Sequence, residues 1–192
     1  MLRLIRRRPA WSSAPAPVTR TLWLSAWSGN QSKFDSKWAD STPTQLTKHI
    51  TATNSHGWTC LHFACVYGRR DMVARILDAC PSELERPTTK GWTPLHFSAG
   101  FGHTAIIDDL LERGADREVL NTMPGSVAEG WTPLHRAIRW WLSPDKPNAV
   151  EHLITTVGCD TEARGADGLR PIDLVQDDCV ETLEAILKRR GR

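Results

Sequence analysis

The sequence predicts an all-α fold, a solenoid of stacked helix–turn–helix units with β-hairpin-like loops. The motif Gly-Trp-Thr-x-Leu-His occurs at residues 57–62, 91–96 and 130–135, and a degenerate copy follows at 168–173. The copies begin 34, 39 and 38 residues apart. Paired apolar residues at helical spacing follow each copy. A pattern that recurs at this interval is typical of repeats that bury their apolar faces against one another.

A first helix begins inside each motif. The threonine hydroxyl can cap free backbone N–H groups, and a proline at the first helical position costs no hydrogen bond. The leucine that follows points into the core, and Cys60 stands where the other copies have proline. The positions with these roles are Thr59 and Leu61, then Thr93, Pro94 and Leu95, then Thr132, Pro133 and Leu134.

A second helix follows each first helix and is marked by apolar residues at helical spacing. Turns at Gly68 and Gly102 separate the two helices, and Gly114 and Gly158 suit a left-handed cap at the end of the second helix. The apolar residues are Met72, Val73, Ile76 and Leu77; Ile106, Ile107, Leu110 and Leu111; Ala149, Val150, Leu153 and Ile154; and Leu183, Ile186 and Leu187.

This unit resembles the ankyrin repeat, whose signature is Thr-Pro-Leu-His-x-Ala with a period of about 33 residues. Residues 61–64, 93–98 and 132–137 match the signature, and the resemblance covers residues 55–187. It implies that the motif histidines, His62, His96 and His135, are structural residues that hydrogen-bond locally and link neighbouring repeats. Two insertions, around 121–129 and 141–147, depart from the pattern. Insertions of this kind map to loops on one face and often tune binding.

The domain boundaries follow from the repeat and from charge. A basic segment (1–34), disordered or targeting, precedes a linker with a candidate N-terminal capping helix (35–56), and the repeat domain occupies 57–192. Within the linker, residues 42–50 are a candidate for the second helix of an abbreviated first unit, because Leu46 and Ile50 lie four residues apart. The four repeats of the domain are 57–90, 91–129, 130–167 and 168–192, the last being a C-terminal cap.

The first 34 residues carry six basic residues and no acidic residue, so the rest of the chain has a net charge of −4. An arginine-rich, acid-free segment of this kind resembles a mitochondrial transit peptide, and a disordered basic tail is the alternative. Import of a reporter fused to residues 1–40 distinguishes the two. Binding of nucleic acid is not expected, because no basic and aromatic surface continues the arginine cluster.

The five cysteines are odd in number and scattered through the repeats. They indicate small-residue substitution in a reducing, intracellular compartment rather than a disulfide framework. We therefore expect a cytoplasmic protein, or a mitochondrial one if residues 1–34 act as a transit peptide. No apolar run approaches the length of a membrane span.

Three patterns that suggest site chemistry each have a simpler explanation. The run Cys60-x-His62-x-x-Cys65 could form half of a metal site, but His62 belongs to the motif and the other copies lack the cysteines. The run at 100–105 satisfies Gly-x-Gly-x-x-Ala, but a helix precedes it where a dinucleotide site requires a strand. No nucleophile-elbow motif occurs. We expect no enzyme activity, no metal, no cofactor and no small-molecule substrate.

The aromatic residues carry the functional prediction. The chain has nine tryptophans but only one tyrosine and four phenylalanines. Trp58, Trp92 and Trp131 follow the hairpin glycine in each motif, and a second aromatic column lies nine residues later. The resemblance places both columns beside a concave groove, where tryptophan and tyrosine are frequent binding hot spots. The second column consists of Tyr67, Phe101 and Trp140.

These residues lead to a prediction of noncatalytic protein–protein interaction through the concave groove, with both aromatic columns as contacts and the partner's identity unknown. One alternative is that each motif tryptophan packs flat over its own hairpin and only stabilises the stack. Another is that the protein is a structural or accessory subunit of a larger mitochondrial assembly.

Overall fold

The computed structural model describes residues 20–126, 128–140 and 148–190. These residues form a row of helix pairs without strands, which confirms the predicted fold class. The α-helices are α1 (Arg20–Ser28), α2 (Gln31–Ala39), α3 (Pro43–Thr51), α4 (Cys60–Val66), α5 (Arg70–Ala79), α6 (Pro94–Phe101), α7 (Thr104–Glu112), α8 (Pro133–Arg139), α9 (Asn148–Glu151) and α10 (Val180–Arg190). A π-helix, His152–Val157, continues α9, and 3-10 helices lie at Pro81–Glu83, Pro171–Leu174 and Asp177–Cys179.

The helices are arranged in two rows. The first-helix row consists of α1, α4, α6, α8 and the 3-10 helix Pro171–Leu174, each packed on the next. The second-helix row consists of α2, α5, α7, α9 with its π-helix, and α10. Side chains from both rows fill one continuous core, which includes Leu61, Ile76, Leu95, Ile107, Leu134 and Ile154.

Hydrogen-bonded hairpin loops connect the pairs. Within one loop the Thr88 N–H donates to the Trp92 carbonyl at 3.0 Å, and the Thr89 N–H donates to His56 of the preceding loop at 3.0 Å. Gly91 has a φ of +72°, and a Cβ there would lie 2.5 Å from the backbone nitrogen of Thr122 in the next loop. Glycine is therefore required at this position both by its own conformation and by the close approach of the next loop.

The N-terminal end of the stack differs from the prediction. The helix predicted at 42–50 forms as α3, with a capping box between Thr42 and Gln45. However, the first helix pair is α1 with α2, and α1 packs against α4. Leu22 and Phe34 are fully buried there, so residues 20–34 are not a disordered tail. Residues 1–19, which hold most of the basic segment, lie outside the described residues, and the targeting hypothesis stays a prediction.

The last repeat is reduced. Its first helix is the short 3-10 helix Pro171–Leu174, and α10 supplies the second helix. Asp173 stands where the other repeats have histidine, and its carboxylate accepts a hydrogen bond from the Arg170 N–H at 2.8 Å. The same carboxylate pairs with the Arg170 guanidinium at 2.8 Å. This geometry satisfies the start of the helix within the repeat itself, as a cap requires.

Ion pairs and one histidine–carboxylate hydrogen bond link consecutive repeats in the second-helix row. Arg70 donates two hydrogen bonds of 2.7 Å to the Asp109 carboxylate, one repeat along. His152 Nε2 lies 2.6 Å from Asp108 in the preceding repeat. The other inter-repeat pairs are Asp35 with Arg75, Asp78 with Arg113 and Glu151 with Arg189. On this face of the molecule, paired charges therefore recur from one repeat to the next.

All five cysteines are buried thiols that form no disulfide with one another. Cys60 and Cys65 are fully buried, and burial raises the pKa of both thiols well above the usual range. They behave as small apolar core residues, which fits their scattered positions in the repeats. Within the described part of the chain, no helix is long and apolar enough to cross a bilayer.

Candidate functional site

The three motif histidines are built into the scaffold. The backbone N–H of Thr59 donates to Nδ1 of His62 at 3.0 Å, and the other two motifs repeat this bond between the threonine and the histidine. Because Nδ1 accepts, Nε2 carries the proton and donates forward along the chain. The acceptors of these forward bonds are the carbonyls of Arg86 (3.0 Å), Trp131 (2.9 Å) and Leu169 (3.1 Å). Each histidine thus ties its helix to the next hairpin.

Burial favours the neutral form of these imidazoles. It lowers the pKa of His62 to about 4 and that of His96 to about 3, and it lowers the pKa of His135 as well. Both ring nitrogens of each histidine are already used in hydrogen bonds, so no nitrogen remains to bind a ligand or to transfer a proton. The motif histidines hold the stack together.

A chain of aromatic contacts runs along the first-helix row, on the side from which the hairpins project. Trp58 begins it, with ring centroids 5.2 Å from Phe63 and 4.5 Å from Phe97. At the other end, the Phe101 and Trp140 rings lie 5.3 Å apart. We call this series of side chains the aromatic strip, and its members are Trp58, Phe63, Trp92, Phe97, Phe101, Arg136 and Trp140. Phe97 and Arg136 are its buried members.

Arg136 joins the two ends of the aromatic strip. Its guanidinium carbon lies 4.2 Å from the ring centroid of Trp92, 4.6 Å from that of Phe97 and 4.9 Å from that of Trp140. The residue is only 5% exposed, and burial lowers the pKa of the guanidinium to about 9. It therefore stays protonated at neutral pH and holds three rings by cation–π contacts.

The exposed part of the strip lies at its C-terminal end. Trp140 is 36% exposed, which makes it the most accessible aromatic side chain among the predicted contacts. Phe101 is half-buried beside it. Trp58, Trp92 and Tyr67 are also half-buried, and Tyr67 lies at the end of α4 in register with Phe101 and Trp140. Five of the six predicted contacts thus keep part of their rings at the surface.

Trp131 is the exception, and its placement differs from the prediction. It is 8% exposed, and its indole N–H donates to the Asp167 carboxylate at 3.1 Å. Its ring lies nearly parallel to that of His135, at an angle of 16° and a centroid distance of 5.9 Å. A Cβ on Gly165 would come within 2.7 Å of the indole. Trp131 therefore packs against the next hairpin, whereas the alternative interpretation expects each motif tryptophan to lie flat over its own hairpin.

Three members of the strip were not singled out from the sequence. Phe63, Phe97 and Arg136 occupy the variable position after the motif histidine, five residues after each motif tryptophan. They connect the two predicted columns by packing contacts, and Phe97 and Arg136 do so from buried positions. The signal was present in the sequence, since two aromatic residues and an arginine recur in one register.

The first insertion, around 121–129, belongs to a hairpin loop. In this insertion, the Asn121 N–H donates to the Trp131 carbonyl at 2.8 Å and the Gly125 N–H donates to the Glu129 carboxylate at 2.7 Å, so the inserted residues extend the hairpin. Residue 127 and the second insertion, 141–147, lie outside the described residues. Across the described ranges, no group of histidine, cysteine, aspartate or glutamate side chains could hold a metal ion.

Family models identify the repeat. A model described as ankyrin repeats in three copies matches residues 77–165, and a single ankyrin-repeat model matches residues 56–85. The two matches together span more than half of the chain, from 56 to 165. A search of curated proteins finds no match to this chain.

Proposed function

Because the chain belongs to the ankyrin repeat family, whose repeats are generally protein–protein interaction modules, we propose that it is a noncatalytic protein that binds a partner protein through the aromatic strip. The observation that carries the proposal is the continuity of the strip. Six rings and one guanidinium form an unbroken series of contacts across three repeats, on the side of the hairpins.

The strip suits recognition because its rings are already held in place. Trp92 is fixed by Arg136 and by an edge contact to the His96 ring at 5.1 Å. Trp140 is fixed by Arg136 and Phe101. A partner that covers such rings buries aromatic surface at a small cost in side-chain entropy, because the rings are already held in place. Half-buried aromatic side chains with rigid neighbours are therefore good candidates for binding hot spots.

The proposed contacts are not equal. Trp140 is the most exposed of these side chains and, with Phe101 beside it, is the main anchor in this proposal, and Tyr67 lies in the same register in the first repeat. Trp58 and Trp92 offer the exposed parts of their rings beside them. Trp131 packs against the hairpin of the next repeat and is not a contact in this proposal.

The double variant Phe101→Ala with Trp140→Ala tests this proposal. Partners are first obtained by affinity capture on the full-length chain and identified by mass spectrometry, and the affinity of a purified partner is then measured by calorimetry. We expect binding to weaken about 30-fold or more, because truncation of even one hot-spot aromatic typically costs about 2 kcal/mol. The circular dichroism spectrum should remain that of the wild type, since neither ring lies in the interior of the core.

Val180→Ala is the matched control. Val180 is 37% exposed, close to the exposure of Trp140, but it lies at the start of α10 in the second-helix row. We expect this variant to bind as the wild type does. Normal binding by a folded double variant would show that the partner contacts a different surface.

A further inference from the structure

Arg136 is a buried cation at the centre of the aromatic strip. It is 5% exposed and lies over three rings. Taking a charge out of water is unfavourable unless the charge is paired, and cation–π contacts offset only part of that cost. The rest of that cost can be offset by another group of the chain or by an anion of a bound partner.

The described part of the chain supplies no anion for this guanidinium. Its Nε atom is buried and has no hydrogen-bond partner among the described residues. Burial alone shifts the pKa of Arg136, with no contribution from a described carboxylate or from a second cation. In contrast, several arginines outside the strip are paired with carboxylates, namely Arg70, Arg75, Arg86, Arg113, Arg170 and Arg189.

The chain also makes room for this side chain. A Cβ on Gly100, in α6, would lie 3.1 Å from both Cγ and Nε of Arg136, so a larger residue there would press on its stem. The corresponding positions of the two preceding repeats hold Phe63 and Phe97. The third repeat therefore replaces a ring by a single cation at the point where the strip becomes most exposed, next to Trp140.

We infer that the aromatic strip binds a segment of a partner protein that inserts an aspartate or glutamate side chain between Trp92 and Trp140, with its carboxylate paired to Arg136. This inference rests on the proposed function and adds the chemistry of the partner. A carboxylate matches the planar guanidinium and its parallel donors. A single cation without a cationic neighbour suits a singly charged carboxylate better than a doubly charged phosphate.

Peptide selection tests this inference even while the partner is unidentified. A random-peptide display library is selected on the full-length chain, and clones are kept if Phe101→Ala with Trp140→Ala weakens their binding. We expect the retained peptides to share one acidic position flanked by apolar residues. Replacing that residue by its amide should weaken binding to the wild-type chain about 30-fold or more, which is typical when one partner of a buried ion pair is removed.

Arg136→Gln should weaken binding of the acidic peptide by a similar factor. Combining it with the amide peptide should cause little further loss, because both changes remove the same contact. Arg139→Gln is the matched control, since Arg139 is exposed and lies near the end of the same helix, α8. It should leave the affinity unchanged.

Two outcomes overturn the inference, and they differ in what they say about the proposed function. Retained peptides without an acidic position, or with equal affinity as acid and amide, would refute the role of Arg136 and leave binding through the strip intact. A selection in which no clone responds to the Phe101 and Trp140 changes would refute both. If Arg136→Gln fails to fold, the comparison of acid and amide peptides on the wild-type chain still tests whether a carboxylate is required for binding.

Discussion

The two ring nitrogens of each motif histidine make hydrogen bonds in opposite directions along the chain. In the second repeat, His96 Nδ1 accepts from the Thr93 N–H at 3.3 Å, and Nε2 donates to the Trp131 carbonyl at 2.9 Å. The first bond closes the start of a helix, and the second attaches the next hairpin. Asp173 can do only the first of these, because a carboxylate has no proton to donate forward.

This arrangement predicts that the protein loses stability in mild acid. The pKa of His62 is lowered to about 4 and that of His96 to about 3, whereas histidines in the unfolded chain have a pKa of about 6.5. Between these values the unfolded chain binds protons that the folded chain does not. The free energy of unfolding therefore falls as the pH falls, by about 1.4 kcal/mol per pH unit for each such histidine.

Urea unfolding measured at about pH 7 and pH 5 checks this, with an expected loss of about 2 kcal/mol or more. The variant His96→Asn keeps an acceptor for the Thr93 N–H but cannot titrate. It should be less stable at neutral pH and should show a shallower dependence on pH. Equal free energies of unfolding at the two pH values would contradict the burial of neutral histidines.

For single residues, the sequence predicts contacts between positions that are close in the chain. The threonine and histidine of a motif are three residues apart, so their role in starting a helix can be worked out from the motif alone. Whether a motif tryptophan is exposed depends instead on distant residues. Trp131 is buried because it meets Asp167 and Gly165, and Trp92 is held by Arg136 of the next repeat. No local sequence pattern predicts these contacts.

Among the elements, α1 is one that the sequence did not predict. It lies within the arginine-rich, acid-free segment 1–34, and that composition indicates targeting rather than a helix. Its buried positions, Leu22, Ser25 and Ala26, include small and polar residues and give only a weak apolar pattern. Its role becomes clear in three dimensions, where α1 covers α4 and α2 lies alongside it.

A substitution in α2 measures how much the α1–α2 pair contributes. Phe34 is fully buried and has the Arg75 guanidinium 5.2 Å from its ring centroid. We expect Phe34→Ala to lower the free energy of unfolding by about 3 kcal/mol or more, because a buried ring is lost and a cavity remains. Chemical unfolding followed by circular dichroism measures the change.

Leu24→Ala in α1 is the control for this substitution. Leu24 is 47% exposed, so its loss should change the free energy of unfolding by no more than about 0.5 kcal/mol. Equal effects of the two substitutions would show that α1 and α2 are not part of the folded stack.

Across the whole molecule, the two helix rows differ in how charge is used. The second-helix row pairs its charges between consecutive repeats, as Arg70 with Asp109 and Asp78 with Arg113 do. The first-helix row carries aromatic rings and a buried cation, Arg136, that has no paired anion among the described residues. The charges of the second-helix row are paired with one another, whereas the first-helix row has partly exposed aromatic rings. We therefore expect the partner to bind on the hairpin side.

Site-specific photocrosslinking shows on which face the partner binds. A benzophenone amino acid replaces Trp140 in one full-length variant and Val180 in another, and each is irradiated with a purified partner obtained by affinity capture. Binding through the aromatic strip predicts a crosslinked complex from position 140 and none from position 180. Crosslinking from position 180 without crosslinking from position 140 would place the partner on the second-helix row and contradict binding through the strip.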